Sequence, residues 1–247
     1  MPEPIRGYDY ASARPNLDEL KKVGKFVARY VCALVGTKVI SKEEADDIRA
    51  HGLGLVLVYE QYIARPLEGR SAGHADALVA LAQARSAGFP EDRPIYFAMD
   101  DDFQPAQQPV IDEYLRGAAE VMGIARTGVY GGIKVIDRCW TNKTATWFWQ
   151  TGAWSYHKES IHAHFVQMTA QNPMIVGGVK VDLNETRQAD WGAAFMEKPV
   201  VAPVASKAEL KLIEVKIIDP GHDMNGIVSW GGMVWTIYRL LQFFGKA

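Results

Sequence analysis

Eight short apolar runs, separated by stretches of helical spacing or by turn residues, set the rhythm of the first 197 residues of this chain. They lie near 5–9, 25–31, 53–59, 94–100, 126–130, 145–150, 164–168 and 179–183. Their length and their β-branched and aromatic content predict strands. Helices are predicted between them over Leu17 to Val23, Ser41 to His51, Ala72 to Ala87, Pro105 to Met122, Ile133 to Cys139 and Arg187 to Glu197. Ser41 with Glu44 three residues on reads as a capping box at the start of the second helix. Strands that alternate with helices predict βα units on a parallel sheet. Eight such units predict an α/β fold, a compact (β/α)8 TIM-type barrel over residues 1–197.

The pattern changes after Glu197. KPVVAPVASKAE reads as a linker over 198–210, and 211–247 as an apolar C-terminal segment. In that segment Leu212 to Ile218 predicts a strand, Asn225-Gly226 a turn, and Ile227 to Phe244 an apolar run charged only at Arg239. Trp230, Val234, Ile237, Leu241 and Phe244 form one stripe at helical spacing, which predicts contact with the barrel, a second copy or another partner chain. Membrane contact is the weaker expectation, because Ser229, Gly231, Gly232 and Gln242 make the run a poor span.

Composition narrows the function. With 48% hydrophobic residues, 23% charged residues and a formal net charge of -2, the chain is expected to fold and carries no electrostatic footprint for nucleic acid. Its 7 Trp and 10 Tyr suit the apolar faces of sugar rings. Cys32 and Cys139 show no disulfide framework and are expected as thiols. The start MPEPIRGYDY lacks a basic stretch followed by an apolar one, so no secretory signal peptide is expected.

Candidate chemistry lies where the runs end. Asp9 closes the first, Asp100 and Asp102 follow the fourth in PIYFAMDDDF, and Asp182 lies in VKVDLNE. Strand alternation would put Tyr96, Ala98, Asp100 and Asp102 on one face, and parallel strands would bring Asp9 and Asp182 to the same rim. Glycosidic cleavage asks for such a cluster: a carboxylic acid that protonates the leaving oxygen, and a carboxylate that stabilises the developing cation, activates water or attacks. Asp102 is the expected acid, Asp100 its charged partner, Asp9 and Asp182 supporting members, and Glu60 a fifth. Trp147, Trp149 and Trp154 flank the sixth strand, and one of them is expected to stack on a sugar, Trp149 being the choice. No metal or organic cofactor is expected. His162 and His164 lack a third ligand, and IDPGHD at 218–223 reads as a turn.

GYDYASARP, VYEQY, IYFAMDDDF, FVQMTA and VKVDLNE resemble the family-25 glycoside hydrolases, the lysozyme-type muramidases. The chain is more similar still to a glycoside hydrolase-like domain of actinobacteria and their phages, over roughly residues 4 to 197. The resemblance implies a groove that cuts between N-acetylmuramic acid and N-acetylglucosamine, with Asp9, Asp100, Asp102 and Asp182 as its acids. Tyr59 or Tyr62 and Gln167 would be sugar contacts. One position departs: the muramidase pattern has Glu where this chain has Asp102. One methylene less withdraws the carboxyl, and misplacement by about an ångström costs roughly a hundredfold in rate. The implied roles are a peptidoglycan-directed hydrolase, released by a phage or carried on its particle, or a non-catalytic carbohydrate-binding or structural part of a phage tail.

Overall fold

The structure, a computed structural model, describes residues 3–32, 36–169 and 173–196. Among the described residues nine strands form: β1 (Arg6–Asp9), β2 (Phe26–Val31), β3 (Gly54–Tyr59), β4 (Ile95–Met99), β5 (Thr127–Gly131), β6 (Trp147–Thr151), β7 (Phe165–Gln167), β8 (Met174–Val176) and β9 (Val179–Thr186). Most are apolar at successive positions because both faces are covered, the inner by the barrel and the outer by helices. β1 to β7 pair in order and in parallel, and β9 closes the ring between β7 and β1. The closed eight-stranded barrel is as expected; the direction of its last strand is not. β9 is antiparallel to both neighbours because the chain returns through a hairpin, with β8 joined to β9 at Gly177 and Gly178. Both glycines have left-handed φ, 55° and 79°, which a two-residue hairpin turn requires. Asp182 still reaches the expected rim, because the register sets it opposite Asp9.

Five helices cover the described barrel: α1 (Leu17–Val23), α2 (Lys42–Ala50), α3 (Arg70–Ser86), α4 (Gln108–Met122) and α5 (Ile133–Asn142). Asn16 and Ser41 cap α1 and α2, accepting the N–H of Glu19 and Glu44 at 3.0 and 3.2 Å. Only half of the expected capping box forms. The Glu44 carboxylate turns instead to Arg29 and Arg14, at 2.6 and 2.8 Å.

The helix expected over Arg187 to Glu197 is absent from residues 187–196. Asp190 accepts the N–H of Gly192 at 2.9 Å and pairs with Arg93, while Gly192 takes φ 83°, so the chain turns rather than winds. It then crosses beneath the strands' N-terminal ends, where Ala194 and Leu55 exchange backbone hydrogen bonds of 3.0 and 2.7 Å.

This segment plugs the barrel. Trp191 stands 5.4 Å from the Phe26 ring and its carbonyl accepts the Tyr96 hydroxyl at 2.8 Å. Above it Trp149 and Phe165 stack at 4.8 Å, and Tyr96 meets both edge-on. Gly7 and Gly128 make room for this packing, since a Cβ there would lie 2.5 Å from the Phe26 ring and 2.8 Å from that of Tyr96. Outward-facing Val27, Leu55, Leu57, Ile95 and Phe97 form a separate layer under the helices. Cys139 of α5 is a buried thiol in that layer, and burial pushes it up to about 12.

The linker and apolar segment expected over 198–210 and 211–247 lie outside the described residues, as do the partner contacts assigned to them. Among the described residues no helix is long and apolar enough to cross a membrane. Trp191→Ala should lower unfolding free energy by about 3–5 kcal/mol, the usual cost of emptying a large aromatic site. Urea titration checks it, and a loss under about 1 kcal/mol would show that the plug does not seal the core.

Candidate functional site

Above the aromatic layer the inward-facing side chains become short or polar, and a cavity of about 270 Å³ opens at the C-terminal rim of the parallel strands. Each barrel strand supplies a wall. Asp9 comes from β1, Tyr30 from β2, Glu60 from the residue after β3, and Asp100 from the residue after β4. Tyr130 comes from β5, Thr151 and Trp149 from β6, Gln167 from β7 and Asp182 from β9. Alternation explains the set: 28 and 30, 56 and 58, and 96 and 98 face inward, so the next inward position on β3 and β4 is 60 and 100.

A hydrogen-bond chain fixes the base of the cavity. The Trp149 indole N–H can only donate, and it donates to Asn184 Oδ1 at 2.8 Å, which turns the Asn184 amide nitrogen to Asp9 Oδ2 at 2.7 Å. From the other side Tyr130 and Thr151 hydroxyls donate to Gln167 Oε1 at 2.8 and 3.0 Å. The Gln167 amide nitrogen therefore also faces Asp9 Oδ2, at 3.0 Å. Both amides hold the same carboxylate oxygen.

Burial nevertheless pushes Asp9 up to about 7. The Asn184 and Gln167 donors and the distant Arg29 favour the ionised form, and the neighbouring Asp182 charge opposes it. Asp9 is only 3% exposed, so loss of water dominates. Asp100 is raised by burial and then by the Glu60 charge, with Lys38 acting against both. Asp182 is raised by burial. Lys38 bonds Glu60 at 2.8 Å and lies 4.2 Å above the Tyr30 ring, so it is the nearest cation to this group of acids that the site's contacts show.

The structure thus gathers Asp9, Glu60, Asp100, Trp149, Gln167 and Asp182 around one cavity. Three expected members stand elsewhere. Asp102 is not in the lining: β4 ends at Met99, Asp101 accepts the N–H of Asp102 at 2.8 Å, and this bend ends the alternation that would have returned 102 to the inner face. Its carboxylate accepts the Tyr156 hydroxyl at 2.7 Å and pairs with Lys134 at 3.3 Å, and these partners, the hydroxyl first, hold it below its ordinary value. Tyr59 points outward, between inward Val58 and Glu60, into the layer under the helices near Asp76. Tyr62 is half-exposed and its hydroxyl donates to Glu68.

Other contributors went unread in the sequence. Tyr30 and Tyr130 could have been found by extending the alternation from Val58 and Ala98 across the sheet. Asn184 lies two residues from Asp182 on the same face. Arg29 had no local signal: it is fully buried on the outer side of β2, with its guanidinium over Tyr10 at 4.4 Å, on the Tyr10 carbonyl and on Glu44. It ties down the loop that follows Asp9.

The β6–β7 loop adds Ala153 and Trp154 to the cavity wall. Trp154, Tyr156 and His157 have φ of 53°, 52° and 58°, a conformation that costs a side-chain-bearing residue roughly 1–2 kcal/mol. His162 and His164 lie away from the cavity: Trp140 stacks on His162 at 3.8 Å, and His164 Nδ1 accepts the Phe148 N–H at 3.1 Å. Burial pushes His164 down to about 4. Among the described residues no group of three or more His, Cys, Asp or Glu is arranged to hold a metal ion.

Comparison with known proteins agrees with this fold. A Mycobacterium tuberculosis protein, Rv2525c, provisionally named a peptidoglycan hydrolase, is 32% identical over 200 residues, 74% of this chain and 81% of that protein. The crystal structure of the Tat-secreted Rv2525c in complex with HEPES superposes with a TM-score of 0.70 at 30% identity, covering 77% of this chain and 98% of that one. The Streptococcus pneumoniae virulence factor GHIP, a glycosyl hydrolase 25, shares the fold at a TM-score of 0.53 and 14% identity, over 76% of this chain and 88% of that one. Residues 19–186 match the Rv2525c-like, glycoside hydrolase-like domain, and the chain belongs to that family.

Proposed function

We propose that the protein is a peptidoglycan-directed glycoside hydrolase whose chemistry resides in the rim cavity. The observation that carries the reading is the convergence of Asp9, Glu60, Asp100 and Asp182, supplied by β1, β9 and the residues that follow β3 and β4, on one cavity. The kinship with a mycobacterial protein provisionally named for peptidoglycan hydrolysis supports the choice of polymer. Asp9 keeps its proton to about 7, and with Oδ2 taken by two N–H donors that proton belongs on Oδ1. Asp100 is more open than Asp9; burial and then the Glu60 charge raise it, and Lys38 acts against both. An acid that holds its proton beside a more open carboxylate is what acid and charged-partner roles require. Asp9 would protonate the leaving oxygen, Asp100 and Asp182 would face the positive charge on the sugar, and water would complete hydrolysis. This moves the acid from Asp102, which its partners keep ionised, to Asp9. A second reading, glycan binding without cleavage, is favoured by that same clamp on Asp102.

Rates separate these assignments. Asp100→Asn should cut release of reducing ends from solubilised peptidoglycan by at least about a hundredfold, whereas Asp102→Asn should cost less than about tenfold. The opposite ranking would restore Asp102 as the acid. Absence of release by the unaltered protein, with disaccharide binding intact, would favour the binding reading.

The Asp9 proton also sets a pH dependence. Because its folded value is raised above its unfolded one, the folded state binds more protons between about 4 and 7, and stability falls as pH rises through that window. Asp9→Asn keeps an acceptor for both amides and carries no charge. It should be inactive yet more stable than the parent at pH 8, by up to a few kcal/mol, and no more stable at pH 4. Thermal unfolding at the two pH values checks this, and activity of the parent should fall as pH passes about 7.

A further inference from the structure

One wall of the cavity is a loop. Between β6 and β7, Ala153 and Trp154 reach the cavity, and next to them the fully buried Ser155 anchors the loop from inside. The Ser155 hydroxyl accepts the Ile133 N–H at 3.0 Å, at the first turn of α5, and donates to the Thr151 carbonyl. Gly132 lies hard against Trp154, since a Cβ there would stand 2.9 Å from the Trp154 carbonyl oxygen. The outer side of the loop is held differently. The Tyr156 hydroxyl donates to Asp102 Oδ2 at 2.7 Å and accepts from Lys134 Nζ at 2.7 Å, and Lys134 closes the triangle on Asp102 Oδ1 at 3.3 Å. The Lys134 ammonium also lies 4.6 Å from the centre of the Tyr156 ring.

We propose that Trp154 is the aromatic surface on which a sugar ring of the glycan packs, and that Tyr156, Lys134 and Asp102 are positioning residues that hold it there. The proposal rests on the glycan reading of the cavity. Trp154 is half-buried beside the acids, and among the described residues its indole N–H meets no acceptor, so the face and the donor both remain for a ligand. An aromatic face offers dispersion contact to the C–H face of a pyranose while carboxylates take its hydroxyls. Left-handed backbone at three of the four side-chain-bearing residues from 154 to 157, Trp154, Tyr156 and His157, is not a local preference and persists only where surrounding contacts impose it. The triangle links this loop to the residues following β4, and it holds Asp102 where the bend at Asp101 has turned it, outside the cavity. All three of its members are solvent-accessible, so it can be undone without emptying the core.

The experiment uses the full chain and two readouts. In the free protein, hydrogen exchange by mass spectrometry should quicken over 152–158 in Tyr156→Phe, which keeps the ring and removes the hydroxyl. Affinity for the N-acetylglucosaminyl-N-acetylmuramic acid disaccharide, followed by NMR titration, should fall about tenfold in Trp154→Ala, the scale of one lost aromatic contact. It should fall by a smaller factor in Tyr156→Phe, and the double variant should bind no more weakly than Trp154→Ala alone, because Tyr156 acts through Trp154. Asp102→Ala should match Tyr156→Phe, while Asp102→Asn, which keeps an acceptor for the hydroxyl, should recover most of the loss. Unchanged exchange in Tyr156→Phe, or losses that multiply in the double variant, would overturn the positioning roles. If Trp154→Ala binds as the parent does, Trp154 is not the sugar surface. A parent that takes up no disaccharide while exchange responds as stated would instead remove the glycan reading itself, and with it the ligand assigned to Trp154.

Discussion

A carboxyl group kept out of water at the mouth of the barrel is the constraint around which this molecule is arranged. Asp9 accepts two amide N–H groups on one oxygen, and each amide is itself oriented by hydrogen bonds donated to its oxygen. Trp149 on β6 sets Asn184 on β9, while Tyr130 on β5 and Thr151 on β6 set Gln167 on β7. Five of the eight barrel strands are thereby committed to the position of one side chain. Such a chain is favourable only when every member is satisfied, because an unpaired buried donor or acceptor costs about 1–3 kcal/mol. The aromatic layer below excludes the water that would otherwise compete for these bonds, which is why the stacked Trp149 and Phe165 and the plug at Trp191 belong to the site as much as to the core.

Much of this was legible from period alone. Strand alternation located Asp9 and Asp100, and the barrel followed from apolar runs separated by helical stretches. Where the reading failed, a local rule met a competitor. Alternation stopped at Met99 because the Asp101 side chain bonds the next N–H and bends the backbone, so Asp102 left the face that its number assigned to it. Tyr59 failed the same rule in the other direction: with Val58 and Glu60 inward, position 59 must face the helices. The helix expected from spacing over Arg187 to Glu197 meets Gly192 at φ 83° and the Asp190 turn, and these local bonds override it. Arg29 was invisible because its partners Tyr10, Lys38 and Glu44 come from three separate segments, and only the folded chain brings them together.

Like charges in one small cavity need an account of why the cluster does not open the barrel. Part of it is protonation: burial pushes Asp9 up to about 7, so it is only partly charged near neutrality, and burial raises Asp100 and Asp182 in the same direction. Lys38 supplies a counter-charge at the Glu60 side, held in place by Tyr30. Arg29 acts from behind the sheet, favouring the ionised form of Asp9 through a strand rather than by contact. The arrangement holds protons and charges at separated positions within one small space, and the proposed hydrolysis would draw on both.

The reversed last strand deepens this arrangement. In a fully parallel barrel a strand enters from below and offers the rim only its final residues. β9 runs downward from the rim, so its early residues serve the cavity and its later ones the layer beneath. Asp182 is opposite Asp9, and Asn184, two residues further on the same face, is opposite Gly7. Gly7 leaves that lower position without a side chain, and the Phe26 ring fills the space from the neighbouring strand. Asn184 is therefore held between an aromatic floor and the carboxyl it orients, with no side chain on β1 to displace it. A single hairpin at Gly177 and Gly178 thus places both an acid and the amide that positions its neighbour, and this couples the topology of the barrel directly to the protonation of its central residue.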